Sequence, residues 1–296
     1  MIYTRLMGGL GNQLFQYAAG RSLAIRHGTE LIIDTSALTI EDKKITKRDL
    51  VLQHFSITGT FTSSAPTYIK SFAKFLPILY KHLGTWYYYA EPNPGYDPKF
   101  QSLPDNTYLS GYWQSYKYFQ AISKIIFDEL TPKYGVSSLT TTRIQSLNRN
   151  GSSVAVHIRR GDYVSLPSAA EHHGALAVQH YINAIELVRK IDPNTNFHIF
   201  SDDIAWCRKH LSSVEAPLIF VDHDESVSDW EEIILMSHCK HHIIANSSFS
   251  WWGAWLADQR WGVSDRLVIA PSLWFSAGNG HDLSDRYPDH WRVLAC

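Results

Sequence analysis

The chain lacks the features that mark disulfide-rich, membrane-spanning and nucleic-acid-binding proteins. Its 296 residues include three cysteines, odd in number and widely spaced, so we expect no disulfide framework and no C-x-x-C metal pair. No apolar run reaches about 18 residues, the length that a helix needs to span a bilayer. The formal net charge of −1 excludes a global field that would recruit nucleic acid or anionic lipid. An anion must therefore bind at a local basic cluster.

We also expect no secretory signal. Residues 1–6 run directly into a strand pattern, with no basic region and apolar core before it. With the few cysteines, this predicts a cytoplasmic protein without a transmembrane segment. The basic, aromatic segment 68–81 would allow peripheral contact with the inner face of the membrane, although a buried helix is the commoner explanation of such a segment. The sequence says nothing about oligomeric state.

Length and hydrophobic periodicity predict two α/β halves. In the first half, strands at 2–6 and 31–34 flank a helix from about 12 to 27, which is a βαβ opening. In the second half, strands alternate with helical patterns, as is typical of a parallel, doubly wound sheet. The strands are predicted at 154–158, 197–200, 218–221, 242–245 and 267–270, and the helices at 178–190, 203–211 and 229–238.

This pattern predicts two Rossmann-like halves facing a central cleft, where ligands tend to bind. Residues 1–135 form the predicted N-terminal domain and 154–296 the C-terminal domain. Between them, 136–153 is rich in Ser, Thr, Asn and Gly with little hydrophobic pattern, so we expect a linker there.

Two adjacent arginines follow the first strand of the second half. Arg159 and Arg160 lie directly after 154–158, and parallel sheets build their ligand crevices where such strands end. Each guanidinium offers a planar fork of donors that suits phosphate and stays charged at any working pH. Asp162 could hold one arginine in place or act as a base. A surface Arg–Asp ion pair is the alternative reading.

A glycine-rich turn, Gly8-Gly9-Leu10-Gly11-Asn12, separates the first strand from the first helix. Glycines there let backbone N–H groups approach a ligand, and the helix N-terminus favours an anion. The dinucleotide fingerprint G-x-G-x-x-G is incomplete, because Leu14 stands at its last glycine, and a P-loop lysine is absent. NAD is therefore disfavoured, and a tight structural turn remains the alternative.

Acidic residues follow two further strands. Asp202 and Asp203 could accept hydrogen bonds from a guanine edge or a ribose, or one of them could cap the helix that follows. The run Asp222-His223-Asp224 resembles the D-x-D with which many sugar transferases hold a divalent cation. A three-residue pattern is weak, and solvated loop acids are the better explanation.

A third signature follows the strand at 242–245. Asn246, Ser247, Ser248 and Phe249 lead into an apolar helix, where hydroxyls and free N–H groups form a neutral phosphate cradle. Helix capping accounts for one serine but hardly for the whole run.

Taken together, the sequence resembles the bacterial α-1,2-fucosyltransferases of glycosyltransferase family 11. Four stretches carry the likeness: Gly-Gly-Leu-Gly-Asn-Gln-Leu-Phe-Gln-Tyr-Ala, Gly-Tyr-Trp-Gln-Ser, His-Ile-Arg-Arg-Gly-Asp-Tyr and Asn-Ser-Ser-Phe-Ser-Trp-Trp-Gly-Ala-Trp-Leu. The resemblance implies a GT-B-like fold and inverting, metal-independent transfer of fucose from GDP-β-L-fucose to a galactose 2-hydroxyl. It places the protein in O-antigen or surface polysaccharide synthesis.

The resemblance also assigns roles. It implies an acceptor-side N-terminal domain, a GDP-fucose-binding C-terminal domain, no metal and no other cofactor, and so no metal at Asp222-His223-Asp224. The implied donor-binding residues are Gly11, Asn12, His157, Arg159, Arg160, Asp202, Asp203, Asn246, Ser247, Ser248 and Phe249.

The expected chemistry explains these residue types. As the bond from the sugar C1 to the phosphate oxygen breaks, charge grows on the β-phosphate, and Arg159 with the serine hydroxyls would stabilise it. Gly11 and Asn12 would close over the fucose and diphosphate. Asp162, slightly favoured, and Glu171 are the candidates for accepting the proton of the attacking hydroxyl. Asp162 could equally aim the arginines, and a base is dispensable if the barrier is mostly bond cleavage.

The acceptor galactoside is the least determined partner. Aromatic residues make up 13% of the chain, and those at 86–89 together with Tyr112, Trp113 and Gln114 could form sugar-binding surfaces, although core packing explains most of them equally well. Two other classes stay open: a nucleotide-dependent oxidoreductase or epimerase using the glycine turn, and a glycan-binding protein without chemistry. A transferase with another sugar donor or linkage is the nearer alternative.

Overall fold

The computed structural model describes residues 1–38, 48–64, 86–147, 152–165, 174–224, 226–275 and 285–296. The chain forms two compact units. Unit 1 comprises Met1–Gly135 and His281–Tyr287, and unit 2 comprises Val136–Gly280 and Pro288–Cys296. Within the described ranges, no helix combines the length and the apolar character that crossing a membrane requires.

Unit 1 is built on a five-stranded parallel sheet. Its strands are β1 (Ile2–Arg5), β2 (Leu31–Asp34), β3 (Thr60–Thr62), β4 (Tyr87–Ala90) and β5 (Thr107–Ser110), in the spatial order β3-β2-β1-β5-β4. Helix α1 (Leu10–His27) joins β1 to β2, and a short helix α2 (Ser123–Glu129) lies later in the chain. Helix α1 contacts β1 and β2 and is buried on all sides from Gln13 to Gly20.

Unit 2 holds a six-stranded parallel sheet in the order β11-β10-β9-β6-β7-β8. The strands are β6 (Ser153–Ile158), β7 (Asn196–Ser201), β8 (Leu218–Phe220), β9 (His241–Ile243), β10 (Val268–Pro271) and β11 (Arg292–Leu294). The helices are α3 (Ser138–Leu147), α4 (Gly161–Ser165), α5 (Val178–Ile191), α6 (Ile204–His210), α7 (Asp229–Ser237) and α8 (Ser248–Trp261).

The strand order of unit 2 fixes where a ligand can bind. The chain runs outward from β6 through β7 to β8, then returns to place β9 on the other side of β6. The carboxyl ends of β6 and β9 therefore flank the point where the winding direction reverses, and open α/β sheets bind ligands at that point. All six residues of β6 are buried, so the strand is a rigid base for the residues that follow it.

The predicted α/β, GT-B-like class is confirmed: each half has a parallel sheet with helical connections. The predicted strands and helices of unit 2 agree with the structure to within two residues. The short strands β3, β4 and β11 were not predicted. Residues 285–287, which we expected in the C-terminal domain, belong to unit 1.

The segment 136–153 is not the plain linker that its composition suggested. It carries α3, whose Thr141 and Thr142 hydroxyls donate to the carbonyls of Ser137 and Ser138 one turn earlier. Thr140 is buried, which anchors the helix despite its weak hydrophobic pattern. The segment 68–81, our candidate for membrane contact, lies outside the described residues.

Candidate active site

Asp202 holds the arginine loop that follows β6. Its Oδ2 lies 2.8 Å from Nη1 of Arg159, and its Oδ1 accepts a hydrogen bond of 2.8 Å from the backbone N–H of Arg160. Because β7 is the parallel neighbour of β6, Asp202 at the end of β7 lies beside the arginines at the end of β6. Asp202 is thus the described acid that aims Arg159, a role we considered for Asp162.

Arg160 is held from two sides. Its Nε lies 3.3 Å from Oδ2 of Asp203, and its guanidinium carbon lies 3.8 Å from the centre of the Trp206 ring. The other oxygen of Asp203 accepts from the backbone N–H of Trp206 at 3.0 Å and caps α6, as the capping alternative predicted. Both acids after β7 therefore position arginines, and direct contact of either acid with a donor stays a prediction.

Gly161 allows this arrangement because it lacks a side chain. A Cβ at this position would lie 2.5 Å from Oδ2 of Asp202, the oxygen that pairs with Arg159.

We expect Gly161→Ala to displace Asp202 and lower kcat/KM by about 10- to 100-fold, since a displacement of about 1 Å can lower the rate 10²-fold. Steady-state kinetics of Gly161→Ala, of Asp202→Ala and of the double variant that combines them test this expectation. Full additivity of the two losses would contradict it.

His157 is a buried, neutral histidine at the end of β6. Burial, reinforced by the nearby charge of Arg159, lowers the pKa of His157 to about 4. Its ring lies 5.6 Å from that of Phe249, which comes from α8 on the far side of the switch point. Nδ1 is buried and makes no hydrogen bond with the described residues. Such an atom is a natural contact for a ligand.

The third signature forms the start of α8. The Ser247 hydroxyl accepts from the backbone N–H of Phe249 at 3.3 Å and caps the helix, while Ser248 is its first residue and is half-buried. Asn246 is buried and donates to the carbonyl of Gly174 at 3.0 Å. The hydroxyl of Tyr163 donates to the Asn246 carbonyl at 3.1 Å, so the loops after β6 and β9 are joined.

A pocket that our sequence analysis missed opens beside this cluster. It is open to solvent, and Ser201, Arg143 and Glu232 are among its lining residues. Burial, with the nearby charges of Asp229 and Asp202, raises the pKa of Glu232 to about 7. Ser201, which lines the pocket, directly precedes Asp202, so the pocket adjoins the arginine site.

Asp222 and Asp224 line this pocket and accept hydrogen bonds from other protein groups. Both oxygens of Asp222 accept from Nη2 of Arg208 at 2.9 Å. Asp224 accepts from the backbone N–H and the hydroxyl of Ser226, at 2.9 and 2.5 Å. Such contacts are those expected of acids in a charged loop, the explanation that the sequence favoured for this run.

The glycine turn of unit 1 is shaped by polar side chains. Gly8 has φ +78°, and a Cβ there would lie 2.6 Å from Nδ2 of Asn12. Gln16 pairs with both backbone groups of Met7, donating to its carbonyl and accepting from its N–H. Gly11 is buried in the first turn of α1. The turn thus has a structural basis of its own, and the ligand roles of Gly11 and Asn12 stay predictions.

A side-chain relay fixes the orientation of Asn12. Nη1 of Arg286 donates to Oε1 of Gln114, and Nε2 of Gln114 donates to Oδ1 of Asn12 at 2.6 Å. Because arginine can only donate, neither amide can be flipped, and the amide nitrogen of Asn12 faces Gly8. Arg286 is buried in unit 1, and Lys117 pairs with the neighbouring Asp285.

The structure corrects one of the three acceptor candidates. Trp113 is fully buried, with φ +55°, and packs against Tyr89, Phe100 and Tyr118 in the core of unit 1, so it cannot stack on an acceptor sugar. Gln114 serves the relay to Asn12. Tyr112 is 44% exposed and stays an acceptor prediction.

The two base candidates lie beyond what the structure describes. Asp162 belongs to α4, but its side chain is outside the described part, as is the whole of Glu171.

Two parallel-sheet units, with paired arginines and a serine-capped helix at the switch point of one of them, define a GT-B-like glycosyltransferase. The sequence gives the family: residues 1–291 match glycosyl transferase family 11, and the chain belongs to that family.

Three glycosyltransferases are among the proteins similar to this chain. The chain is 33% identical to an alpha-1,2-colitosyltransferase of Escherichia coli, over 98% of both chains. It is 29% identical to the O-antigen biosynthesis glycosyltransferase WbnK of Escherichia coli, over 96% of this chain and 98% of that protein. The galactoside 2-alpha-L-fucosyltransferase SEC1 of Bos taurus is 27% identical over 84% of this chain and 62% of its own length.

A solved structure supports the fold. Arabidopsis thaliana FUT1, determined in complex with GDP, aligns with a TM-score of 0.52 and 11% identity, covering 86% of this chain and 68% of that one.

Proposed function

We propose that this protein transfers L-fucose from GDP-β-L-fucose to the 2-hydroxyl of a terminal β-galactose, with inversion and without a metal ion. The relatives named above support transfer of a fucose-like sugar in O-antigen synthesis. The same proposal includes a cytoplasmic location. There the enzyme would act at the inner face of the membrane, on a polysaccharide precursor. This location is consistent with the free thiols of Cys207, Cys239 and Cys296.

The observation that carries this proposal is the pocket of Glu232 beside the arginine site. Guanine presents two adjacent donors, N1–H and the 2-amino group, and a carboxylate can accept from both. Asp202 and Asp203 are engaged with arginines, whereas Glu232 makes no hydrogen bond with the described residues and lines the pocket. We therefore assign guanine recognition to Glu232, with the diphosphate reaching toward Arg159.

The arginine site supplies what the departing GDP needs. The galactose hydroxyl oxygen forms a bond to C1 of fucose, the bond from C1 to the β-phosphate oxygen breaks, and GDP takes the electron pair. Arg159 meets the charge that develops on the phosphate, and Asp202 holds the guanidinium in place beforehand. The hydroxyl proton passes to Asp162 or Glu171, our two candidates, or to solvent.

The donor sugar has one specific rival. The 33% identity to a colitosyltransferase favours colitose, the 3-deoxy form of L-fucose, as a second candidate. The two differ by a single hydroxyl, and a site that hydrogen-bonds this hydroxyl would discriminate strongly against the sugar that lacks it. Parallel assays with GDP-fucose and GDP-colitose decide between them.

Release of GDP from GDP-fucose in EDTA, with and without lactose or Gal-β1,3-GalNAc, tests the proposal. Release stimulated by either acceptor is the expected result, and mass spectrometry with linkage analysis of the product should show an α-1,2 bond. If GDP raises the melting temperature but no acceptor stimulates release, the proposed donor or acceptor is wrong. If NAD(P)H binds and GDP does not, an oxidoreductase or epimerase is indicated.

Donor affinity should depend on the ionisation of Glu232. Because only the ionised carboxylate accepts from both guanine donors, and its pKa is about 7, affinity for GDP-fucose should fall as pH drops from 8 to 6. GDP-fucose is the right ligand because its diphosphate has no titrating terminal phosphate. Calorimetry should show an affinity about ten-fold lower in Glu232→Gln at pH 8, with little further pH dependence. An identical pH profile in both proteins would contradict the assignment.

A further inference from the structure

Arg143 faces the same pocket as Glu232 from a different helix. It belongs to α3, in the segment that we had predicted to be a linker. Its Nη2 donates to the backbone carbonyl of Asp222 at 3.0 Å, which fixes the guanidinium at the pocket wall. One N–H is used in this way, and arginine carries five.

Arg143 and Glu232 do not neutralise each other directly. Both residues line one pocket, yet no ion pair within 4.0 Å joins them among the described residues. The pocket therefore has a donor-only group and an acceptor group among its lining residues.

We propose that Arg143 recognises the O6/N7 edge of guanine and makes the pocket selective for guanine nucleotides. This inference rests on the proposed function, because it assumes that a GDP-sugar occupies the site. Guanine has acceptors at O6 and N7 on one edge and donors at N1 and N2 on the next, and arginine pairs with O6 and N7 through two parallel hydrogen bonds. A guanidinium and a carboxylate on neighbouring walls match these two edges.

The same walls disfavour the other bases. Adenine carries an amino group where guanine has O6, so its donors would face the donors of Arg143. Uracil is a single ring and lacks N7 altogether. The pocket thus favours guanine by attraction, and it disfavours adenine and uracil because they would leave polar groups of the pocket unpaired.

The test compares GDP with 7-deaza-GDP, in which a C–H replaces N7. Wild type should bind 7-deaza-GDP about ten-fold more weakly than GDP, because one hydrogen bond to Arg143 is lost. Arg143→Ala should bind GDP about ten-fold more weakly than wild type and should no longer distinguish the two ligands. Arg208→Ala is the matched control, since Arg208 pairs with the Asp222 side chain but is not among the residues that line the pocket.

The outcomes separate this inference from the proposed function. If Glu232→Gln weakens GDP binding but Arg143→Ala does not, or if Arg143→Ala still discriminates against 7-deaza-GDP, the role of Arg143 is refuted and the GDP site stands. If neither variant alters GDP binding and no acceptor stimulates GDP release, both proposals are refuted.

Discussion

Replacing Arg159 with alanine is expected to lower kcat at saturating donor by at least about 10²- to 10³-fold, the loss typical of removing a donor that stabilises transition-state charge. Arg159 is aligned by Asp202 at 2.8 Å and extends from a fully buried strand. Its charge is thus oriented before the reaction, at no cost of rearrangement during it. Because this stabilisation grows as the bond to the phosphate breaks, kcat should fall more than donor affinity.

Two further variants sharpen this experiment. Arg159→Lys keeps the charge but loses the planar fork that pairs with Asp202, so we expect it to recover a small part of the lost rate. Arg292→Ala removes an exposed arginine from the edge strand β11 and should leave kcat unchanged. Near wild-type turnover in Arg159→Ala at saturating GDP-fucose would show that this arginine does not carry the catalysis.

Replacing Asp258 with alanine should lower the free energy of unfolding by about 3–5 kcal/mol, the usual result of removing one partner of a buried ion pair. The Asp258 and Arg266 side chains are 2% and 1% exposed, and Oδ1 of Asp258 lies 3.0 Å from Nε of Arg266. The other oxygen accepts from the indole N–H of Trp291 at 2.7 Å and contacts His290 at 2.9 Å. The carboxylate thus ties α8 to the C-terminal segment.

Urea denaturation measures this loss, and a second variant isolates its cause. The double variant Asp258→Leu with Arg266→Met removes both charges and should be more stable than Asp258→Ala, because no buried charge stays unpaired. Asp265→Ala, at an exposed position, should change the free energy of unfolding by less than about 0.5 kcal/mol. A double variant less stable than Asp258→Ala would contradict the explanation.

The sequence was most informative where hydrophobic pattern and chain order act together. Apolar runs located every strand of unit 2 except β11, and alternation with helices predicted a parallel sheet. The rule that ligands bind beyond the carboxyl ends of such strands then placed Arg159, Asp202 and Asn246 at one edge of the sheet. Local hydrophobic patterns are therefore sufficient to locate the strands and the edge of the sheet at which the site lies.

Contacts between distant residues were beyond prediction. Asp202 comes from the neighbouring strand and pairs with Arg159, and only the register of β6 and β7 reveals this contact. Glu232 was missed because acids in the first turn of a helix are expected on electrostatic grounds alone. Arg143 was missed because α3 is weakly amphipathic. Trp113 was misread because exposure of an aromatic residue depends on packing that the sequence does not display.

The buried Arg286 has a consequence for how the protein is made. It bonds to Gln114, which precedes it by 172 residues, and it lies in the core of unit 1 although nearly all of unit 2 is encoded before it. A ribosome must therefore synthesise almost the entire chain before the first unit can acquire this interior side chain. The usual sequence in which an N-terminal domain folds to completion during synthesis does not apply here. The glycine turn that Asn12 helps to shape reaches its final geometry only once the C-terminal segment has been translated.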